Sequence, residues 1–80
     1  VKIQVIYYGR LKQEAGARQQ TFDLPGDGLT VAGLIATLKQ QVPGLRLDAV
    51  AYAVNDEIVG PDYVLRDGDQ AGLLPPVSGG

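Results

Sequence analysis

Thr30-Val31-Ala32-Gly33-Leu34-Ile35-Ala36-Thr37-Leu38-Lys39-Gln40-Gln41-Val42-Pro43-Gly44 is the stretch that decides the fold. Val31, Leu34, Ile35, Leu38 and Val42 fall at offsets 0, 3, 4, 7 and 11, a single apolar stripe at helical period, with Lys39, Gln40 and Gln41 pointing away. Thr30 stands where an N-cap belongs, its hydroxyl free to accept an orphan amide proton, so the helix begins at Val31. Pro43-Gly44 ends it: proline cannot continue the hydrogen-bond ladder, and Gly44 is expected to take the left-handed cap conformation.

Outward from this helix the chain reads as extended segments separated by turns. Towards the N-terminus, Val1, Ile3, Val5 and Tyr7 alternate with Lys2 and Gln4, which predicts a strand over residues 1–8. Arg10 to Ala15 suits a short helical turn stopped at Gly16, and Gln19 to Leu24 a second strand, antiparallel to the first. Pro25-Gly26-Asp27-Gly28 is a turn leading into the helix. Beyond the helix, Ala49 to Val54 and Glu57 to Val59 flank Asn55-Asp56, residues that tolerate the positive dihedrals of a tight hairpin. Asp67-Gly68-Asp69 is a further turn before a last strand, Gln70 to Leu74. The order strand, strand, helix, strand, strand, strand predicts an α+β fold of the ubiquitin-like β-grasp type. A mixed sheet is covered by one main helix, residues 1–74 form the domain and residues 75–80 a flexible C-terminal tail.

Composition narrows the chemistry. Eighty residues make one domain, and 45% hydrophobic with 20% charged residues is ordinary globular usage. No apolar run approaches the roughly 18 residues of a membrane span, so a cytoplasmic protein without a membrane partner is the expectation. Nine acidic and seven basic residues are spread along the chain with no basic cluster, which argues against nucleic acid. Cysteine, histidine, methionine and tryptophan are absent. That removes thiol nucleophiles, thiolate or imidazole metal sites and the usual general base, and no bound cofactor is expected. Gly26-Asp27-Gly28 lacks the Gly-Lys-Ser/Thr ending of a phosphate loop and reads as a turn. Asp67 and Asp69 offer too few oxygens for a cation and read as a solvated turn. Tyr7, Tyr8, Tyr52 and Tyr63 are too scattered for a stacking platform and read as half-buried strand residues.

The C-terminus is the remaining candidate. A Gly-Gly ending arises by chance in about 0.5% of chains, so a cause is worth seeking. Glycine has no Cβ, and Gly79-Gly80 can pass through a channel too narrow for side chains, placing the terminal carboxylate inside another protein. That carboxylate, with an ordinary pKa of roughly 3.5, is ionised at neutral pH and can attack the α-phosphate of ATP to give an acyl-adenylate. A sulfur nucleophile then yields a thiocarboxylate, an amine an isopeptide. Leu74-Pro75-Pro76-Val77-Ser78-Gly79 precede it as an apolar, pre-extended docking element that loses little entropy on binding. Alternation allows only one of Leu73 and Leu74 to face the core, leaving the other for a partner.

The ending Pro75-Pro76-Val77-Ser78-Gly79-Gly80, with Asp67-Gly68-Asp69, the strand Gln70 to Leu74, Ala53-Val54-Asn55 and Leu65, resembles the small subunits of molybdopterin synthase, ubiquitin-like sulfur carriers. The first strand and Lys12 to Gly16 match more loosely, because that family usually shows an Arg-Glu-Leu-like run where this chain has Lys12-Gln13-Glu14. The resemblance implies that Gly80 is adenylated by a ubiquitin-activating-type enzyme using ATP and converted by a sulfur donor to a thiocarboxylate. It further implies that the tail enters the large subunit of the synthase, where its sulfur passes to a pyranopterin precursor of the molybdenum cofactor. This chain would be a non-catalytic subunit supplying no catalytic side chain. Two other readings stand beside it: a carrier serving thiamine, tRNA thiolation or protein modification, and a non-covalent β-grasp interaction module.

Overall fold

The computed structural model describes residues 1–76. Five strands and two helices follow in the order β1 (Lys2–Tyr7), α1 (Arg10–Ala15), β2 (Gln19–Asp23), α2 (Val31–Gln41), β3 (Ala51–Val54), β4 (Glu57–Val59) and β5 (Gln70–Leu74). The strands form one sheet in the order β2-β1-β5-β3-β4. β5 runs parallel to β1, with Gln4 opposite Gln70 and Tyr7 opposite Leu73, and every other pairing is antiparallel. Among the described residues no helix is long and apolar enough to cross a membrane.

The two periodicities meet in one core. Val31, Leu34, Ile35 and Leu38 of α2 are buried together with Ile3, Val5 and Tyr7 of β1, Ala71 and Leu73 of β5 and Val54 of β3. Leu11 of α1 and the loop residues Leu24, Leu45, Leu47, Val50 and Leu65 complete it. The N-terminus of α2 is closed by the Thr30 hydroxyl, which accepts from the Gly33 amide at 3.2 Å, and by the carbonyls of Tyr63 and Pro61, which accept from Val31 and Ala32. These contacts satisfy amides that a helix start leaves orphaned. At the β3–β4 hairpin, Asn55 and Asp56 take φ of 50° and 70°, as the tight turn requires.

Four expectations need correction. The helix stops at Gln41, and Gly44 does not have positive φ; Val42 already leaves helical geometry at φ −129° and ψ 73°. The ring of Pro43 disfavours helical backbone in the residue before it, so the stop acts one position earlier than a glycine cap. Gly44 serves close packing instead, since a Cβ there would lie 3.1 Å from the Glu14 carbonyl oxygen. The third strand starts at Ala51, because the chain turns at Ala49 (φ 58°) to bury Val50.

The tyrosines and the aspartate turn also differ from expectation. Tyr7 is fully buried and Tyr52 half-buried, whereas Tyr8 and Tyr63 are exposed and lie outside the strands. Asp69 is buried rather than solvated, accepting from the Arg66 amide at 2.8 Å and the Asn55 side-chain amide at 3.0 Å. Asp67 accepts from the Lys2 amide at 2.7 Å. These carboxylates tie the turn to β1 and to the hairpin.

Candidate functional site

β5 delivers the tail. Its pairing with both β1 and β3 makes it a central strand, and its last residue, Leu74, stands opposite Ala51. Leu73 is 1% exposed and belongs to the core, while Leu74 is half-buried on the opposite face of the sheet. The alternation read from the sequence therefore holds, with Leu73 inside and Leu74 offered outward. Pro75 is half-buried and Pro76 exposed. Val77, Ser78, Gly79 and Gly80, the rest of the predicted site, lie outside the described residues, as does the flexibility expected of them.

The corner between β1 and α1 holds the root of the tail. The Tyr8 amide donates to the Leu73 carbonyl at 3.3 Å, extending the β1–β5 ladder by one bond. Gly9 then turns at φ 57°, and a Cβ on it would lie 3.0 Å from Cγ of Pro75. Both the positive φ and the close approach favour glycine here. Tyr8 folds its ring over β5, where a Cβ on Gly72 would come within 3.1 Å of Tyr8 Cε2.

Leu74 is part of a wider apolar surface. Ile6 of β1 is paired with Gly72, Gly72 with Ala53, and Ala53 with Ile58, so one register row crosses four strands on the face away from α2. Ile6, Tyr8, Ala53, Ile58, Gly72 and Leu74, with the polar Asp56 and Gln70, line a shallow hollow of about 240 Å³ there. Ile58 is 72% exposed, a position where a branched apolar side chain gains little from folding. Exposed apolar groups gathered into one patch beside the strand that leads into residues 75–80 are the kind of surface on which proteins dock partners. Of this surface the sequence reading identified Leu74 alone. Its signal was nevertheless present: Ile6 and Tyr8 break the polar phase that Lys2 and Gln4 establish in the first strand.

A second concavity adjoins the first. Ile6 and Tyr8 line it too, together with Lys12, Arg18 and Gln19, around a volume of about 400 Å³. Beneath it the Tyr7 phenol donates to the Gln20 side-chain carbonyl at 2.7 Å, and burial raises its pKa above the ordinary 10.0, so it remains a donor. On the other side of α1, Glu14 accepts from Arg10 Nη1 at 2.8 Å and from the Arg46 amide at 2.8 Å. The Arg46 amide first, then the Arg10 guanidinium, hold the Glu14 carboxyl below its usual range. Among the described residues no group of His, Cys, Asp or Glu side chains is arranged to hold a metal ion.

The sequence led us to expect the tail and an outward Leu74; the central place of β5 and the apolar sheet face beside it come from the structure. The model of the ThiS family matches residues 5–80. The chain belongs to the ThiS family. It is 36% identical to a molybdopterin synthase sulfur carrier subunit of Chlamydomonas reinhardtii over 84 residues, which span 100% of both chains. Among solved structures, the complex of subunits 1 and 2 of molybdopterin-converting factor from Helicobacter pylori holds a chain 29% identical to this one, with a TM-score of 0.74 over 100% of both. SAMP1 from Haloferax volcanii is 27% identical with a TM-score of 0.84, again over 100% of both chains. The ubiquitin-like β-grasp fold and the resemblance to molybdopterin synthase small subunits are thus borne out. So is the sulfur-carrier class.

Proposed function

We propose that this ThiS-family chain carries sulfur as a thiocarboxylate on Gly80 and delivers it, as the small subunit of molybdopterin synthase, to a pyranopterin precursor of the molybdenum cofactor. The feature that supports this most is the exit of the tail from a central strand between the Tyr8–Gly9 corner and the apolar sheet face. A partner gripping that face receives the tail at a fixed position and heading, which is the entropy saving that positioned reactants require.

In the activating enzyme a carboxylate oxygen of Gly80 attacks the α-phosphorus of ATP, and pyrophosphate leaves. The persulfide sulfur of a donor then attacks the acyl carbon of the adenylate and expels AMP. A thiol of the donor then attacks the donor's sulfur in the resulting acyl disulfide, forming a disulfide within the donor and releasing the thiocarboxylate. In the large subunit the pyranopterin precursor takes this sulfur, and the Gly80 carboxylate is regenerated by water. This chain contributes the acyl carbon and the docking surfaces, and its partners supply the catalytic side chains. ATP is consumed by the activating partner without being bound here, and we assign these steps to the cytoplasm. Leu74, Pro75, Pro76, Val77, Ser78 and Gly79 form the docking element behind the reactive Gly80.

Intact mass tests the reading. Incubated with the activating enzyme, ATP and a sulfur donor, the chain should gain about 16 Da, oxygen replaced by sulfur, and a chain lacking Gly80 should gain nothing while keeping its fold. No gain beside an active control carrier would overturn the proposal. The likeness to SAMP1, one of the small archaeal modifier proteins, favours protein modification as the second reading. Isopeptide adducts on lysines in place of the thiocarboxylate would select it.

A further inference from the structure

The concavity bearing Lys12 and Arg18 is not used by the sulfur chemistry, and its charge is unlike its surroundings. The chain has a net charge of −2, yet two cations converge here with Tyr8 and Gln19 and no acidic residue lines the space. Local backbone geometry accounts for the convergence. The Lys12 carbonyl accepts from the amides of both Gly16 and Ala17, closing α1 with Gly16 at φ 74°. That turn returns the chain so that the Arg18 carbonyl accepts from the Tyr7 amide.

No carboxylate enters the notch: Asp56 lines the adjoining hollow, and the other nearby carboxylates are occupied or distant. Glu14, on the same short helix as Lys12, is held by Arg10 and Arg46. Asp23 stands at the other end of β2, opposite Lys2, about 16 Å along the strand from Arg18. Asp67 and Asp69 bond to groups at that same far end. Among the described residues, neither Lys12 nor Arg18 lies within ion-pair distance of a carboxylate. The positive notch therefore sits at the end of the sheet where the tail leaves, and shares Ile6 and Tyr8 with the apolar hollow.

We propose that Lys12 and Arg18 form a carboxylate-accepting notch, which seats an Asp or Glu side chain of the protein that receives the tail and orients that protein over the apolar sheet face. The proposal rests on the carrier reading above. An apolar patch supplies contact area without direction, whereas two cations on one side of it fix the sense of docking and speed encounter with an acidic surface. The attraction is long-range and screened by salt, unlike the apolar contact.

Stopped-flow association of the full chain with the purified large subunit of molybdopterin synthase, at low and at physiological ionic strength, tests the notch. Wild type should associate faster at low salt. Lys12→Glu/Arg18→Glu should slow association at low salt by about tenfold and lose that salt dependence. Lys39→Glu/Arg66→Glu changes net charge equally at exposed positions outside the notch and should stay within about twofold of wild type. Should the charge-reversed notch fail to fold, Lys12→Gln/Arg18→Gln gives the same comparison with a smaller effect. A wild-type rate and salt slope in the notch variant, or equal slowing in both double variants, overturns the proposal. If wild type gains sulfur and binds while the notch variant matches it, the notch alone falls; if wild type neither gains sulfur nor binds, the carrier reading falls and the notch with it.

Discussion

Asp69 illustrates how one side chain can fasten separate parts of this fold. The residue is 9% exposed, and its carboxylate accepts from the Arg66 amide and the Asn55 side chain, while Asn55 Oδ1 accepts from the Gln70 amide. The turn before β5, the β3–β4 hairpin and the first residue of β5 are thereby joined. Asp69→Ala leaves a backbone donor and an amide donor without partners in a part-buried place. We expect it to cost about 1–3 kcal/mol, read as a lower urea midpoint at unchanged slope. Asp69→Asn, which keeps an acceptor, should lose less. Gly72 works in the opposite way, by having no side chain: the Tyr8 ring lies where a Cβ would point.

At the scale of elements, α1 is too short to be stable by itself and is held from outside. Glu14 provides the hold, bonding to Arg10 one turn earlier and to the Arg46 amide beyond α2, while Arg10 Nη1 donates to the Arg46 carbonyl at 3.0 Å. The Glu14 pKa is lowered in the folded chain, chiefly by the Arg46 amide. Its charge therefore stabilises the fold above the ordinary value of 4.5, and that contribution is lost as pH falls through the lower folded-state value. Glu14→Gln should thus melt below wild type at neutral pH, with the gap closing in acid below about 4.5. Melting curves of the two proteins across that range check it, and a gap that persists or widens in acid would contradict the assignment.

The whole molecule has two faces with different duties. One is sealed by α2, and the other leaves Ile6, Ala53, Ile58 and Leu74 on a largely apolar surface at the root of the tail, with Asp56 and Gln70 also lining it. Substitution on the open face should separate binding from stability. Ile58→Ser, at a side chain 72% exposed, should change unfolding free energy by no more than about 0.5 kcal/mol. If the large subunit grips this face, as proposed, the same change removes an anchor from the interface, and affinity should fall by about tenfold, measured by calorimetric titration. Equal affinity for both proteins would show that the partner docks elsewhere.

Much of this architecture was legible in the residues. The period of Val31 to Leu38 and the Thr30 cap define α2, Asn55-Asp56 defines the hairpin, and alternation puts Leu73 and Leu74 on opposite faces, because local geometry writes these features into adjacent positions. The absence of cysteine and histidine directed attention to Gly80 for the same local reason, since it concerns which groups exist and not where they lie. Strand order is different in kind. β5 comes last in the chain yet lies between β1 and β3, so Gln70 bonds to Gln4 across 66 positions of sequence. That insertion brings Ile6, Gly72, Ala53 and Ile58 into one row, buries Asp69, and sets Lys12 and Arg18 beside the root of the tail. Periodicity tells each strand which side to bury but carries no label for its lateral neighbour; the neighbour is chosen by packing the complete core, and the apolar outer face is a product of that choice.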